Sequence, residues 1–182
     1  MRNVDRWACA VLVLIVAPAR ADLIPPAAGM KVDRPRLLLR PADTPYAISL
    51  GALRSLQRDA DFEVMLRQLE GLGQPSALAL VHHLTGRREP AQRAVAAMAS
   101  WEPPADKGKR DDPFNVYFTL LDMALAYDWL HSFPGFDPEA RGALRRKLQP
   151  FVENAVRLGE DHVFHNYIWM YDGGTMLWAL AT

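Results

Sequence analysis

The chain has 182 residues, half of them hydrophobic, with 21 basic and 21 acidic side chains and a formal net charge of zero. This length fits one domain of ordinary size or part of a larger one, and the apolar content excludes a wholly disordered chain. Balanced charge argues against a nucleic-acid partner, because binding to phosphate backbones depends on a basic excess.

Residues 1–21 have the pattern of a secretory signal peptide. Two arginines precede an apolar run over residues 7–17, and the small residues of an A-x-A cleavage site end at Ala21. The run is too short for a membrane span, which needs about 20 apolar residues. We therefore expect cleavage after Ala21, export to a bacterial periplasm or the medium, and no stable membrane insertion. Cys9, the only cysteine, leaves with the peptide, so the mature chain is predicted to have no disulfide.

The region after the signal divides into a linker and one helical domain. Residues 22–35 contain several prolines and no periodicity, as linkers do, and residues 36–182 form the predicted domain. Leu37–Leu39 is a brief apolar run that predicts a short extended segment. No other region alternates as a strand does.

Seven helices are predicted in this domain from apolar residues that recur at helical spacing between turn signals. They cover approximately residues 41–56, 61–70, 75–85, 89–101, 113–131, 138–160 and 166–182. Asp61 is the expected N-cap of the second helix, and residues 101–112 are expected to form a polar loop. Pro150 is expected to kink or break the sixth helix.

Sequential helices joined by short turns predict an all-α domain. Helical hairpins that stack in chain order can form a bundle, a solenoid or a closed α/α toroid. Periodicity alone does not choose between these architectures.

The sequence offers few residues for a metal or a cofactor. His162 and His165 are three apart, which places two imidazoles on one helical face, and Asp161 or Asp172 would have to supply a third ligand. No third ligand recurs at a recognised metal-site spacing, and the phosphate-binding and dinucleotide-binding motifs are absent. We therefore predict no metal and no cofactor.

Asp128 is the one acidic residue on the otherwise apolar face of the fifth helix. Its ordinary interpretation is a buried carboxylate with a structural partner. Trp178 is predicted to lie in the core. The pair Gly173-Gly174 in the middle of the last helix predicts a close approach of another backbone or a ligand, because each glycine costs about 1 kcal/mol of helix stability relative to alanine.

Four segments resemble, in order, the heparinase II/III-like and alginate lyase families. They cover residues 34–43 (RPRLLLRPAD), 77–95 (ALALVHHLTGRREPAQRAV), 121–148 (LDMALAYDWLHSFPGFDPEARGALRRKL) and 165–181 (HNYIWMYDGGTMLWALA). The third is similar to the families' Ala-Tyr-Asp-Trp-Leu segment and the fourth to their Asn-aromatic segment that runs into Gly-Gly. Together the matches span nearly all of residues 34–182.

The resemblance implies an incomplete α/α toroid that ends before its C-terminal helices and a β-sandwich domain, and an activity that cleaves uronic-acid polysaccharides by β-elimination. It implies that Asn166 neutralises the substrate carboxylate, with His165 as its companion, although several relatives place the His after the Asn. Tyr167 and Trp169 are the implied sugar-contacting residues. The base and the acid are expected from helices beyond Thr182, so the fragment alone is expected to be inactive and to have an acidic polysaccharide as its partner.

Three alternatives remain open from the residues. Asn166 has a structural interpretation as the N-cap of the last helix, in place of a free amide. The chain also fits a non-catalytic carbohydrate-binding or scaffold protein. An α/α-toroid glycoside hydrolase would need paired acidic residues across a cleft, for which Asp128 and Asp172 are the candidates.

Overall fold

The structure is a computed structural model that describes residues 49–55, 60–161 and 167–182, and within these ranges it contains eight helices and no strand. The all-α prediction is confirmed for this part of the chain. The helices are α1 (Leu50–Ser55), α2 (Ala60–Leu72), α3 (Pro75–Thr85), α4 (Arg88–Ser100), α5 (Lys107–Asp111), α6 (Pro113–Trp129), α7 (Pro138–Asp161) and α8 (Ile168–Ala181). The predicted signal peptide, linker and extended segment lie outside the described residues. None of the eight helices is long and apolar enough to cross a membrane.

The turn residues explain most of the helix boundaries. Proline is the first residue of α3 and of α6, where its missing N–H costs no intrahelical hydrogen bond. Asp112 caps α6, since its side chain accepts a hydrogen bond from the backbone N–H of Asn115 at 2.8 Å. Gly86 ends α3 with a φ of 74°, a left-handed conformation that favours glycine. These boundaries agree with the sequence prediction.

Two local predictions are wrong, and of the two outcomes predicted at Pro150, a kink or a break, the break does not occur. Asp61 lies in the first turn of α2, which begins at Ala60, instead of capping it. The polar loop contains the short helix α5, whose cap Asp106 accepts a hydrogen bond from the N–H of Lys109 at 2.8 Å. Pro150 does not break α7, which continues through it.

The position of Pro150 explains why α7 continues. The missing N–H of this residue leaves the carbonyl of Arg146 without its intrahelical partner. Both residues are exposed, so water can hydrogen-bond the carbonyl. The buried stripe of α7 continues on its other side.

Helices α3 and α6 run parallel to each other. Near the beginning of α3, the N–H of Ser76 donates to Oδ1 of Asp122, in the middle of α6, at 2.8 Å. Seven residues further along both helices, the ring Nε2 of His83 lies 2.7 Å from the carbonyl oxygen of Trp129. The second contact is seven residues after the first in both helices, so the two helices point the same way.

Helices α6 and α8 are also parallel. The rings of Phe114 and Tyr167, at the two beginnings, lie 6.3 Å apart, and the rings of Tyr127 and Trp178, further along, lie 5.4 Å apart. Helices α3, α6 and α8 therefore form one layer, with α6 between the other two.

Helices α4 and α7 form a second layer that runs in the opposite direction. A two-residue connection, Gly86-Arg87, joins α3 to α4, which makes them an antiparallel hairpin. Late in α7, Nδ2 of Asn154 donates to Oδ1 of Asp111, directly before α6, at 2.9 Å. The chain thus alternates between the layers, and Nζ of Lys147 in α7 donates to the carbonyl of Ala99 in α4 at 2.8 Å.

The core lies between the two layers. Every residue from Met123 to Trp129 in α6 is buried, and so is Leu130, its C-cap. The predicted apolar stripe of α7 is also entirely buried, as the sequence indicated, at Leu144, Leu148, Phe151, Ala155 and Leu158. Each fully buried side chain of this size contributes about 1.5 to 3 kcal/mol from its removal from water.

Helix α8 packs closely on α6 at the glycine pair, as the sequence predicted. A Cβ on Gly174 would lie 3.3 Å from Cβ and Cδ1 of Leu120 and 3.4 Å from Cα of Tyr117. A Cβ on Gly173 would lie 3.4 Å from Cε2 of Tyr117. The missing side chains allow the backbone of α8 to approach α6, which offsets the cost of glycine within a helix.

We expect Gly174→Leu to destabilise the protein by about 1 to 3 kcal/mol, because the added side chain has no room against Leu120 and Tyr117. Urea unfolding of the variant and the wild type measures the change. Gly71→Leu is the matched control, since nothing lies within 4 Å of a Cβ built on Gly71. Equal stability of the Gly174→Leu variant and the wild type would show that the contact does not set the spacing of the helices.

Candidate functional site

Aromatic side chains gather where α6 and α8 begin. The ring of Phe114 meets that of Tyr167 edge to face, and the ring of Tyr117 meets that of Phe118 in the same way at 5.3 Å between centroids. Gly173 lies against Tyr117. We call Phe114, Tyr117, Phe118 and Tyr167 the aromatic cluster. Trp169 follows Tyr167 by two residues in the first turn of α8.

The cluster is largely open to solvent. Phe118 is 59% exposed and Phe114 48%, and Trp169, two residues after Tyr167, is 79% exposed. Trp178, nine residues after Trp169, is only 5% exposed and packs on Tyr127, which confirms the prediction that it belongs to the core. Exposed aromatic residues that adjoin one another on a surface mark a ligand or partner site more often than isolated ones do.

Tyr167 occupies the N-cap position of α8, and its carbonyl accepts hydrogen bonds from the N–H groups of Met170 and Tyr171 at 3.0 and 3.2 Å. The cap position considered for Asn166 therefore belongs to the next residue. His165 and Asn166 themselves lie outside the described residues and directly precede this cap. Of the four predicted site residues, the structure describes Tyr167, which is half-buried, and Trp169.

A polar network supports this end of the domain from within. The buried Tyr171 donates its hydroxyl proton to the carbonyl of Asp111 at 2.6 Å. The Asp111 carboxylate accepts hydrogen bonds from Asn154 at 2.9 Å and from Arg110 at 3.1 Å. The network ties α8 and α7 to the residue that immediately precedes the cap of α6.

The pKa values in this network follow from burial and from hydrogen bonding. Burial acts to raise the pKa of Asp111, but the hydrogen bonds from Asn154 and Arg110, together with the charges of Arg110 and Lys107, outweigh it and hold this pKa below its usual value. The pKa of Tyr171 is raised by burial and by the nearby Asp111 and Asp112 carboxylates. Tyr171 therefore keeps its proton and is committed to its hydrogen bond, so it serves as a structural anchor.

Asp172 lies between α8 and α7. Its Oδ1 is 2.8 Å from the position that a Cβ on Gly159 would take, so the glycine makes room for the carboxylate. Burial raises the pKa of Asp172, and the charge of Glu160 raises it further. This carboxyl therefore takes up a proton more readily than an exposed aspartate.

The structure does not bring Asp128 and Asp172 together. Asp128 is fully buried and lies eleven residues beyond Tyr117, which is the residue that faces Gly173. Eleven residues correspond to about 16 Å along the helix axis, more than the roughly 5 to 9.5 Å between the paired carboxylates of glycoside hydrolases. The prediction that Asp128 is a structural carboxylate agrees with its burial.

In the described ranges no three His, Cys, Asp or Glu side chains are grouped so as to hold a metal ion. His162 and His165, the two residues considered for such a site, lie outside those ranges. The metal prediction is therefore not tested by the structure.

Sequence reasoning missed the exposed aromatics of α6. The run PFNVYF places aromatic residues at positions 114, 117 and 118, which are spaced to lie on one side of the first turns of the helix. These three residues lie on a different side of α6 from its fully buried face. This difference was the feature of the sequence that could have identified them as exposed. The structure adds that α8 leaves Phe114 and Phe118 uncovered.

No protein-family model, curated protein or solved structure matches the chain. The functional argument therefore depends on the residues and their arrangement.

The raised pKa of Asp172 predicts a measurable pH dependence of stability. Ionisation of the Asp172 carboxyl opposes folding, because its pKa is higher in the folded protein than in the unfolded chain. The protonated carboxyl therefore contributes its full stabilisation below the ordinary pKa of 3.8, and this stabilisation is lost as the pH rises through the raised pKa of the folded state. Asp172→Asn is expected to unfold at a higher temperature than the wild type at neutral pH, and at the same temperature below about pH 3.

The matched control for this comparison is Asp161→Asn. Asp161 is exposed and lies 3.1 Å from the guanidinium of Arg157, so it has no burial penalty to remove. We expect no increase in unfolding temperature for the control. An Asp172→Asn variant that is no more stable than the wild type at neutral pH would contradict the assignment.

Proposed function

We propose that the chain is the N-terminal part of an exported polysaccharide lyase similar to the heparinase II/III-like enzymes, which cleaves uronic-acid-containing polysaccharide by β-elimination. The observation that carries the proposal is the exposure of Trp169, two residues after Tyr167, in the segment whose sequence resembles the families' Asn-aromatic site. A tryptophan that is 79% exposed at the beginning of a helix has no role in the core.

The layered arrangement of the helices supports the toroid part of the proposal. In an α/α toroid, parallel helices of one layer alternate along the chain with antiparallel helices of the other. Helices α3, α6 and α8 alternate with α4 and α7 in this manner. We propose that they form an arc of such a toroid, which further helices and a β-sandwich domain complete.

The chemistry assigns separate tasks to separate residues. In β-elimination a base removes the proton on the carbon next to the uronate carboxylate, the electron pair forms a carbon–carbon double bond, and the glycosidic oxygen leaves with a proton from an acid. A neutralised carboxylate makes that proton more acidic, and an amide such as Asn166 suits this task. His165 is its proposed companion.

Tyr171 is buried and its hydroxyl is already donated to the carbonyl of Asp111, so we do not propose it as the base or the acid. Both are proposed to come from elsewhere in the full-length protein. Tyr167 and Trp169 are instead proposed to contact the sugar. An aromatic ring offers apolar area to the faces of sugar rings at a low cost in conformational entropy.

The second candidate function is a non-catalytic carbohydrate-binding protein. The same aromatic cluster favours it, because a binding surface needs no base or acid. A glycoside hydrolase is not proposed, since Asp128 is fully buried and is not paired with Asp172. For either candidate we propose a periplasmic or secreted location, on the basis of the predicted signal peptide.

We expect Trp169→Ala to weaken binding of uronic-acid polymers to the secreted full-length protein by about 5- to 30-fold, the effect of losing 1 to 2 kcal/mol from one aromatic contact. Affinity electrophoresis in gels that contain the polymer measures it. Met176→Ala is the matched control, because Met176 is exposed on the same helix two turns from Trp169. Unchanged binding by the Trp169→Ala variant would remove this residue from the site.

Elimination is tested separately on the full-length protein by the ultraviolet absorbance of the unsaturated product. We expect Asn166→Ala to lower the rate about 10²- to 10³-fold, as the removal of one charge-stabilising donor does in other enzymes. A wild-type rate for this variant would exclude Asn166 from catalysis. Binding without elimination on every uronic polymer would favour the non-catalytic candidate.

A further inference from the structure

The ring of Tyr117 lies in the groove between α6 and α8. Its Cε2 and Cδ2 atoms lie 3.4 and 3.8 Å from the position that a Cβ on Gly173 would take, so the ring packs against the backbone of α8. The ring of Phe118, the next residue of α6, meets it edge to face at 5.3 Å between centroids. Contacts with both helices therefore position this ring.

The two glycines of α8 make room for different groups. A Cβ on Gly174 would meet the side chain of Leu120 and the backbone of Tyr117, so this glycine sets the spacing of the helices. Apart from its own helix, the only described group within 4 Å of a Cβ on Gly173 is the ring of Tyr117. A second glycine destabilises the helix further, and helix packing does not account for it. We therefore interpret Gly173 as the residue that makes room for the Tyr117 ring.

The hydroxyl of Tyr117 makes no hydrogen bond within the part of the chain that the structure describes. Tyr171 of α8 differs, because its hydroxyl donates to the carbonyl of Asp111 at 2.6 Å. The side chain of Tyr117 is also partly exposed. A phenol hydroxyl both donates and accepts hydrogen bonds, so Tyr117 retains this capacity for a ligand.

Tyr117 is close to a residue that we propose to contact the sugar. Phe114 lies three residues earlier in α6, about 4.5 Å along the helix axis and on an adjoining part of its surface. The ring of Phe114 meets that of Tyr167 at 6.3 Å. A sugar ring bound over Phe114 and Tyr167 would therefore lie about one helical turn from Tyr117.

We propose that Tyr117 is a further sugar-binding residue of the aromatic cluster. Gly173 leaves space for its ring between α6 and α8, and its hydroxyl hydrogen-bonds an oxygen atom of the bound uronic sugar. Binding sites combine apolar walls with a few polar groups that fix the orientation of the ligand, and Phe114 and Phe118 can supply only the apolar part. This role rests on the proposed function and does not make Tyr117 the base or the acid.

Tyr117→Phe separates binding from packing, because it keeps the ring and removes only the hydroxyl. We expect it to weaken binding of uronic-acid polymers to the secreted full-length protein by about 3- to 10-fold, the effect of losing one hydrogen bond to the ligand. Affinity electrophoresis measures the change. The unfolding temperature should remain that of the wild type, since the hydroxyl has no hydrogen bond to lose among the described residues.

Thr119→Val is the matched control, because it removes a hydroxyl from the same helix. Thr119 is two residues after Tyr117, about 200° around the helix, so its side chain points away from the groove, and we expect wild-type binding. Wild-type affinity of Tyr117→Phe, or an equal loss in both variants, would overturn the role of Tyr117 and leave the proposed function standing. A wild-type protein that binds no uronic polymer would instead remove the proposed function and this role together.

Gly173→Leu tests whether the glycine acts through the ring. The added side chain would take the space of the Tyr117 ring, so we expect weaker binding by this variant, whereas Gly71→Leu, with nothing within 4 Å, should bind as the wild type does. When Gly173→Leu is combined with Tyr117→Phe, the loss should be smaller than the product of the two separate losses, because both changes disable the same hydrogen bond. Losses that multiply would contradict the role of Gly173.

Discussion

The close packing of α8 on α6 across Gly173 and Gly174 sets the geometry on which the rest of the described domain depends. With Leu120 and the backbone of Tyr117 within 3.4 Å of where a Cβ on Gly174 would lie, the two helices are held in one register. Helix α6 is buried over its second half because α3, α7 and α8 all pack on it. Its position therefore fixes those of its neighbours, and the parallel alignment brings the beginnings of α6 and α8 together.

This alignment gives the two ends of the layer different chemistry. At the beginnings of α6 and α8, exposed rings adjoin an interior network that is fully hydrogen-bonded through Tyr171 and Asp111. At the ends of α3 and α6, the ring of His83 meets the carbonyl of Trp129, and Nε of Arg54 donates to the carbonyl of His83. One end thus presents exposed aromatic rings, and the other joins neighbouring helices through backbone carbonyls.

The aromatic residues show where sequence reasoning succeeded and where it did not. Trp169 and Trp178 are nine residues apart, which puts them on opposite sides of one helix, so the sequence could assign one to the core and the other to the surface. It could not do the same for Phe114 and Phe118, because their exposure depends on how far α8 covers α6. The covering helix lies more than fifty residues away in the chain.

The sequence by itself determined the all-α class, most helix boundaries and the buried stripe of α7, because caps, prolines, glycines and apolar spacing act over a few residues. Only the tertiary structure decided the layer order, the continuity of α7 through Pro150, the raised pKa of Asp172 and the contact of the His83 ring with the carbonyl of Trp129. Each of these depends on water or on groups from other helices, such as the carbonyl that lies 46 residues from His83. Local signals specify elements, whereas burial and charge at a given side chain are set by the residues that packing places around it.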